Sequence, residues 1–366
     1  MCTLILFNDS TLSSTTDTPT MARVQNTTLP HFPILRLPTL AMKKVMENFN
    51  VIELLEFSTL SKRAALLIPF SLHLIEPKID VEISDTTTIK VYKTSDDLVH
   101  DFEWSIGKLT VPRVAKLHCF ANIAGTKRIE EKTSNQPNLR YLTNCEHRSE
   151  PALHSVLIHM RSVFPRLHVQ TLQYRKTDLK LELALSSVKN VDNLHIFAES
   201  IDENSKFLIE HITVRKRFSC NADHNPSKCE ITDKLHCSES INSRMTLWMD
   251  PSRLTSLNCK NIKFLRTKIT ATEFESFLLA WQSSTDDRYS LIQHIDIGFR
   301  LGSPKLNVQR LGAKAWDGAR RPRYCTFDDG FSLDCRNAFD IEKADGTIAS
   351  VMIKRNNGVE VVVWPK

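Results

Sequence analysis

Cysteine and histidine residues cluster at one place in this sequence, which raises the question of a metal site. Cys220, His224, Cys229, His236 and Cys237 form the pattern C-x3-H-x4-C-x6-H-C. Structural zinc sites draw on paired C-x2-C steps, and this stretch contains none. We therefore interpret the cluster as unrelated side chains and predict no metal and no cofactor.

Two further groups of titratable residues invite a catalytic interpretation. His147, His154 and His159 surround a predicted helix, but no H-E-x-x-H motif occurs and His154 and His159 are five residues apart, which is off a shared helix face. Asp328 and Asp329 precede a glycine, and a turn explains that pattern. We predict structural or exposed roles for all five. The sequence contains no assembled motif of a cysteine or zinc hydrolase.

Glycine is scarce, and its distribution excludes several enzyme classes. The chain has 9 glycines in 366 residues, against a usual share of about 7%, and most of them lie at or beyond Gly298. Phosphate-binding loops need glycines at short fixed spacing, because only a residue without Cβ lets the backbone approach a phosphate. The sequence contains no G-x-G-x-x-G, no G-x-x-x-x-G-K-[ST] and no G-x-S-x-G motif. These absences favour a protein that is not an enzyme.

Charge and cysteine content bear on partners and compartment. The net charge is +6, and basic residues cluster at 215–217 and 320–323. No aromatic residues are interleaved with them, so we interpret both clusters as solvated surface and do not expect a nucleic-acid partner. The apolar run 64–70 is far shorter than the roughly 20 residues of a membrane span. Nine irregularly spaced cysteines favour free thiols, and hence a cytoplasmic or nuclear protein without a signal peptide.

The N-terminal part divides into a polar leader and a helical unit. Residues 1–30 are rich in Ser and Thr, and we expect them to be disordered. Residues 31–76 predict three short helices within 39–68, with Pro38 opening the first. These helices are apolar nearly all round, and a unit of this size has only one small core. Their remaining apolar surface must contact the rest of the chain or a partner protein.

The larger part, residues 77–310, predicts strands that alternate with amphipathic helices. A helix from Pro151 precedes a strand at 167–172. Another helix begins at Thr270, whose capping box with Glu273 lies between strands at 261–265 and 291–297. The uneven repeat predicts a parallel sheet backed by helices, similar to an irregular leucine-rich-repeat stack. The fold class is therefore mixed, α+β or α/β.

The C-terminal residues 311–366 predict a small antiparallel β element. Asp345-Gly346 and Asn357-Gly358 each separate two alternating runs, which is a strong hairpin signal. Among the aromatic residues, we assign the helical stripe Phe274, Phe277 and Trp281 to the core. Trp316 and Trp364 fall outside clear core periodicity and are candidates for an exposed groove.

Two segments resemble parts of one protein family. The first matches at Phe32-Pro33, Leu37-Pro38, Val45, Asn50, Leu54-Leu55, Ser58, Leu60 and residues 61–63, and it resembles the F-box of the large nematode F-box families. The second segment, about 245–300 with the closing tail, resembles the type 2 F-box-associated domain. Its matches are Trp248, residues 257–259 and 277–281, Asp340-Ile341, Asp345-Gly346 and Ala349.

The resemblance implies a function without catalysis. An F-box binds a Skp-family adaptor, which connects through a cullin to a RING subunit, so the chain would be the substrate-recognition subunit of an SCF-type ubiquitin ligase. The residues implied as adaptor contacts are Leu37, Pro38, Leu40, Val45, Leu54, Leu55 and Leu60. The target protein and its binding residues are not readable from the sequence. An alternative is a scaffold protein that binds a Skp adaptor without delivering ubiquitin.

Overall fold

The computed structural model describes most of the chain from residue 36 onward. The described residues are 36–71, 76–92, 102–107, 116–119, 126–132, 137–144, 149–222, 236–244, 246, 251–257, 259–285, 287–327, 330 and 332–365. The predicted leader 1–30 lies outside them. The described residues form helices packed on a large mixed β-sheet, so the fold class is a mixture of α and β.

Three helices lie at the N-terminus of the described chain. They are α1 at Thr39–Met46, α2 at Val51–Leu60 and α3 at Lys62–Ser71. Pro38 stands at the position before α1. A capping box opens α2, because the Asn50 side chain accepts a hydrogen bond from the Glu53 N–H and the Glu53 carboxylate accepts one from the Asn50 N–H, both at 2.8 Å.

The remaining elements follow in chain order. The helices are α4 at Glu150–Val163, α5 at Leu181–Ala184, α6 at Glu203–His211 and α7 at Ala271–Ser283. The strands up to residue 220 are β1 Lys78–Ile83, β2 Thr87–Tyr92, β3 Phe102–Gly107, β4 Lys116–Cys119, β5 Thr126–Lys132, β6 Pro137–Asn144, β7 His168–Arg175, β8 Asn190–Phe197 and β9 Thr213–Cys220. The later strands are β10 Ser240–Ser243, β11 Asn261–Phe264, β12 His294–Gly298, β13 Lys314–Ala315, β14 Tyr324–Thr326, β15 Ser332–Asp334, β16 Phe339–Glu342, β17 Ile348–Lys354 and β18 Gly358–Val363.

A run of six consecutive strands, β7 to β12, forms the parallel centre of the sheet. Each strand of this run lies beside the next one in the chain, and all five pairings are parallel. Crossovers between parallel strands are right-handed in nearly all proteins, so strands that advance in one direction keep their connections on one face. The connections include α5, α6, α7 and a 3-10 turn at Pro251–Ser256, and α4, α5 and α6 contact one another in series.

The sequence prediction of strand-helix alternation from residue 77 needs correction over its first part. Between residues 78 and 144 the described residues contain β1 to β6 and no helix. β1, β2 and β3 pair as antiparallel neighbours. β1 shows the physical reason: Ile79, Val81 and Ile83 are buried at alternate positions, which is the period of a strand with one buried face and not the period of a helix. Within the described part of residues 77–310, helices begin to alternate with strands at α4.

The tail is antiparallel as predicted, and it continues the main sheet. β16, β17 and β18 pair as antiparallel neighbours, joined by turns at Asp345-Gly346 and Asn357-Gly358. Gly346 has φ of 85° and Asn357 has φ of 58°, the left-handed conformation that such turns require. β18 also pairs with β12, so the tail is joined to the last parallel strand.

The main core lies between the sheet and the helices. One row of buried side chains crosses the sheet from β7 to β17: Leu172, Leu194, Phe218, Ile241, Ile262, Ile295, Val361 and Val351. The predicted aromatic stripe of α7 is also buried, since Phe274, Phe277 and Trp281 are at most 3% exposed. The predicted capping box of α7 at Thr270 is present.

Candidate functional site

The predicted adaptor contacts divide into buried and exposed residues. Leu54 and Leu55 are 0% and 1% exposed, so these two side chains are part of the core and cannot contact a partner in this structure. Their assignment as adaptor contacts therefore needs correction. Leu37, Val45 and Leu60 are partly buried, and Leu37 and Leu60 pack against the core. Pro38 is exposed, and Leu40 is 74% exposed.

The reason for this division is that α2 lies against the rest of the chain. α2 and α3 both contact α4. The Ser58 hydroxyl lies 2.9 Å from Nε2 of His159 on α4, which joins segments 101 residues apart. Burial lowers the pKa of His159, so the neutral imidazole is favoured at this contact. The apolar surface of α2 that the sequence left without a partner is thus covered within the chain.

An exposed apolar surface nevertheless remains on the N-terminal helices. Pro38, Leu40 and Ala41 are exposed on and beside α1, and Leu66 is 67% exposed on α3, a helix that contacts α1. We call these four residues the N-terminal apolar surface. Leu66 was missed by the sequence analysis, although a signal existed: the buried Ala64 and Ile68 occupy i and i+4 on α3, and Leu66 lies off that face.

The second candidate surface is the face of the parallel sheet that carries none of the connecting helices. Parallel sheets in most α/β proteins are covered on both faces, and one-sided coverage is typical of repeat folds that bind partners on the open side. A row of side chains crosses this face, offset by one residue from the buried row. On β7 to β11 it consists of Gln173, His195, Ser219, Asn242 and Lys263. It continues on β12, β18 and β17 as the buried Asp296 and Glu360 and then Met352, which packs against a small core cluster of the tail.

The middle of this open sheet face is polar and accessible. Arg217, Asn242, Asn261 and Lys263 are exposed, on β9, β10 and β11. The two asparagines offer hydrogen-bond donors and acceptors, and Arg217 and Lys263 offer cationic donors. The arrangement suits an extended or irregular segment of another protein that lies across the strands.

Ion pairs fix charges at one flank of the open face. Asp192 lies 2.9 Å from both His168 Nε2 and Lys216 Nζ. Burial raises the pKa of Asp192, but the hydrogen bond from Lys216 and the charge of His168 outweigh it and leave the pKa below its usual value. Lys216 therefore belongs to a cross-strand pair, beside the Arg217–Glu239 pair at 2.5 Å.

The opposite flank holds two carboxylates on paired strands. Asp296 of β12 and Glu360 of β18 are direct neighbours across the strands, and Lys354 Nζ lies 2.8 Å from the first and 3.1 Å from the second. His294 Nε2 is 2.9 Å from Glu360. Burial raises the pKa of Glu360, but hydrogen bonds from His294 and Lys354 bring it below the usual value. Both carboxylates are thus committed to cations, which favours a fixed charge pattern over proton transfer.

The predicted Cys/His cluster is only partly described. Cys220 and Cys237 are buried, and burial raises the thiol pKa of Cys220 to about 11. His236 is exposed, while His224 and Cys229 lie outside the described residues. Within the part of the chain that the structure covers, no three His, Cys, Asp or Glu side chains are placed to hold a metal ion.

The other predicted titratable candidates have ordinary neighbours where they are described. His154 Nδ1 lies 3.2 Å from the Ser186 hydroxyl, and His159 contacts α2 as described above. His147, Asp328 and Asp329 lie outside the described residues. Trp248, which contributed to the family resemblance, lies outside them too.

The interpretation of residues 320–323 as solvated surface is wrong for Arg321. Its side chain is 3% exposed and pairs with Asp340, whose side chain is 5% exposed. Trp364 is also engaged: its Nε1 donates to the Ser350 hydroxyl at 2.7 Å, and the Arg321 guanidinium lies 5.2 Å from its ring centroid. Trp364 is therefore a structural residue, and Trp316 is half-buried.

Comparison with known proteins places the chain beside nematode proteins. It is 24% identical to the uncharacterized protein F54H12.5 of Caenorhabditis elegans over 91% of this chain and 93% of that protein. It is 19% identical to the uncharacterized protein F59B2.8 of the same organism, over 87% of this chain and 74% of that protein. No family model and no solved structure matches. Among the described residues, no helix has the length and apolar character needed to cross a membrane.

Proposed function

We propose that the chain is the substrate-recognition subunit of an SCF-type cullin-RING ubiquitin ligase. In this proposal the N-terminal helices are an F-box that binds a Skp-family adaptor, and the rest of the chain binds the target protein. The observation that carries the proposal is the exposure of Leu40 and Leu66, at 74% and 67%, on two helices that contact each other. Two large leucines exposed on adjoining helices of one small unit fit a protein interface.

The body supports the second half of the proposal. Its one-sided parallel sheet is similar to an irregular leucine-rich-repeat stack, and its helix-free face presents polar side chains to solvent. The segment about 245–300 with the tail would be the F-box-associated domain. The relatives are nematode proteins, which agrees with the nematode families that the sequence resembles.

The role of such a subunit is to position its target. The adaptor and target surfaces lie on separate parts of one chain, and α2 and α3 connect them by packing on α4. A bound target is thereby held close to the ubiquitin-loaded E2 enzyme that the RING subunit recruits. The gain in ubiquitin transfer comes from effective concentration and orientation. The chain itself supplies no reacting group.

Binding to a Skp-family adaptor tests the first half of the proposal. We expect the Leu40→Asp/Leu66→Asp variant to stay folded, because both side chains are mostly exposed. Full burial of a leucine contributes about 1.5–3 kcal/mol, so loss of both side chains from an interface should weaken binding at least about 100-fold. The measurement is calorimetric titration of the purified chain with the adaptor.

The matched control is Leu183→Asp, which changes a leucine that is 63% exposed on α5 of the body. This variant should bind the adaptor with the affinity of the original chain. Equal adaptor affinity for the original chain and a folded Leu40→Asp/Leu66→Asp variant would contradict the proposal. Leu54→Asp and Leu55→Asp are unsuitable, because both side chains are buried in the core and a carboxylate there would unfold the chain.

The alternative is a scaffold that binds the adaptor without delivering ubiquitin. The two functions differ in the fate of a bound partner. A ligase subunit shortens the half-life of its target only when Leu40 and Leu66 are intact, whereas a scaffold leaves the half-life unchanged. Pulse-chase measurement of the partner with the original chain and with the double variant separates them.

A further inference from the structure

Basic residues collect at one edge of the sheet, where the parallel strands β11 and β12 end. Arg266 and Lys268 follow β11, Arg300 and Lys305 follow β12, and Arg355 lies in the turn between β17 and β18. All five side chains belong to exposed residues. We call these five residues the basic edge.

Backbone hydrogen bonds hold the turns of the basic edge together. The Arg300 N–H donates to the Ile269 carbonyl at 2.9 Å, and the Phe299 N–H donates to the Asn357 carbonyl at 2.9 Å. The Asn357 side chain donates to the Arg300 carbonyl at 3.2 Å. The three turns are therefore neighbours on a fixed backbone, and their cations form one patch.

The described residues around this patch do not neutralise its charge. The described stretches 265–270, 299–308 and 355–357 contain no Asp or Glu. None of the five cations lies within ion-pair distance of a described carboxylate, in contrast to Arg217, Arg310 and Lys354 on the same sheet and its connections. Glu273, the nearest acidic residue along the chain after Lys268, is committed to the capping box of α7. An uncompensated patch of this kind attracts a negatively charged partner.

Two exposed leucines lie on the same turns. Leu301 is 92% exposed beside Arg300, and Leu265 is 44% exposed beside Arg266. Leu265 lies two residues after Lys263, whose side chain belongs to the open sheet face. The basic edge therefore continues onto that face. Cations interspersed with exposed leucines match a peptide that carries both carboxylates and apolar side chains. Phe299, a described aromatic residue at this edge, is 7% exposed, so it offers no stacking platform for nucleic acid bases.

We propose that the basic edge binds an acidic segment of a protein partner that also carries apolar side chains. Its carboxylates pair with Arg266, Lys268 and Arg300, and an apolar side chain contacts Leu301. The binding chemistry is independent of the adaptor, but the identification of this partner with the ubiquitination target rests on the proposed function.

The test uses the full chain and a defined probe. The probe is a fluorescein-labelled peptide of about 16 residues, in which Glu and Asp surround two leucines, and its binding is followed by fluorescence anisotropy. We expect saturable binding that weakens as salt is raised, because exposed charge pairs are screened. A peptide with Lys in place of each acidic residue should not bind. The Leu301→Ser variant should weaken binding severalfold.

Charge reversal locates the site. The Arg266→Glu/Arg300→Glu variant should weaken peptide binding about tenfold, since each reversal removes an attraction and adds a repulsion. The control is Lys189→Glu/Arg215→Glu, which makes the same change in net charge at exposed residues near the amino-terminal ends of β8 and β9. The control should bind the peptide as the original chain does.

Three results would overturn the inference. One is the absence of saturable binding of the acidic peptide at low salt. Another is equal weakening by both charge-reversal variants, which would indicate non-specific attraction. The third is preferential binding, through Arg266 and Arg300, of phosphatidylserine vesicles or single-stranded RNA that the peptide does not displace. Because no adaptor is present, failure here leaves the adaptor titration with Leu40→Asp/Leu66→Asp unaffected, and the reverse also holds.

Discussion

Replacement of Asp340 by Asn tests whether the buried ion pair of the tail is required for the sheet to hold together. Arg321 Nε donates to both carboxylate oxygens of Asp340, at 2.8 and 2.9 Å. The Ser350 hydroxyl donates to the same carboxylate at 2.9 Å, across the pairing of β16 with β17. Trp364 donates to Ser350. One buried carboxylate thus organises side chains from three parts of the tail.

The expected cost follows from the charge that would be left behind. Asn keeps the shape of Asp, so the change adds little cavity, but it leaves the Arg321 guanidinium buried without a counter-charge. Removal of one partner of a buried pair typically costs about 3–5 kcal/mol. A native protein has a total free energy of unfolding of about 5–15 kcal/mol, so this is a large fraction of it. The Arg323–Asp334 pair offers a matched control, with side chains 38% and 37% exposed. Asp334→Asn should cost far less, because water screens an exposed ion pair and leaves it little net contribution to stability.

The assay is unfolding by urea, followed by tryptophan fluorescence, together with amide hydrogen exchange in β17. Asp340→Asn should lower the unfolding midpoint strongly and speed exchange in β17. Arg321→Met/Asp340→Leu should recover most of the loss, because an apolar pair of similar volume removes the uncompensated charge. The reasoning is refuted if Asp340→Asn destabilises the chain no more than Asp334→Asn does.

Two further predictions concern the close approach of strands and the contact between α2 and α4. Gly298→Ala should cost about 1–3 kcal/mol or more in denaturant unfolding, because its Cβ would lie 2.1 Å from the Leu265 carbonyl oxygen. An unchanged unfolding midpoint would contradict this close approach. Burial lowers the pKa of His159 from its usual 6.5, so the folded chain binds a proton at this imidazole more weakly than the unfolded chain does. The contribution of the neutral ring to the free energy of unfolding is therefore complete above pH 6.5 and decreases as the pH falls below that value. A His159→Gln variant, still able to hydrogen-bond Ser58, should show a flatter dependence of the unfolding midpoint between about pH 5 and 7, and an unchanged dependence would contradict this assignment.

The elements that sequence alone predicted correctly depend on residues close together in the chain. The capping box of α7 needs only Thr270 and Glu273, and the hairpin turn at Asn357 needs only its glycine neighbour and two alternating runs. Their signals are local, so they survive without knowledge of the rest of the fold. The helix predicted from Pro151 is present as α4, which begins at Glu150, and its signal was likewise local: apolar residues at helical spacing.

The candidate surfaces depend on contacts between residues that are far apart in the chain, and the sequence does not predict these contacts. Leu54 and Leu55 are apolar in either environment, and only the packing of α2 on α4 decides that they are buried. Lys354, Asp296 and Glu360 meet only because β18 pairs with β12. The two charges of the Arg321 pair are likewise joined by the fold. A basic run therefore does not reveal which of its members is buried.

The pairing of β12 with β18 also explains two of the glycines in the C-terminal part of the chain. Gly298 and Gly358 are direct partners across β12 and β18, and a Cβ at Gly358 would lie 2.8 Å from the Ile297 carbonyl oxygen. The tail can approach β12 because Gly358 has no side chain, whereas the missing side chain of Gly298 makes room for the Leu265 carbonyl after β11. β18 covers one edge of the parallel run and β1 covers the other, which removes both as templates for strand addition. The surfaces of the parallel run that remain open to a partner are then its helix-free face and the ends of its strands, where the basic edge lies.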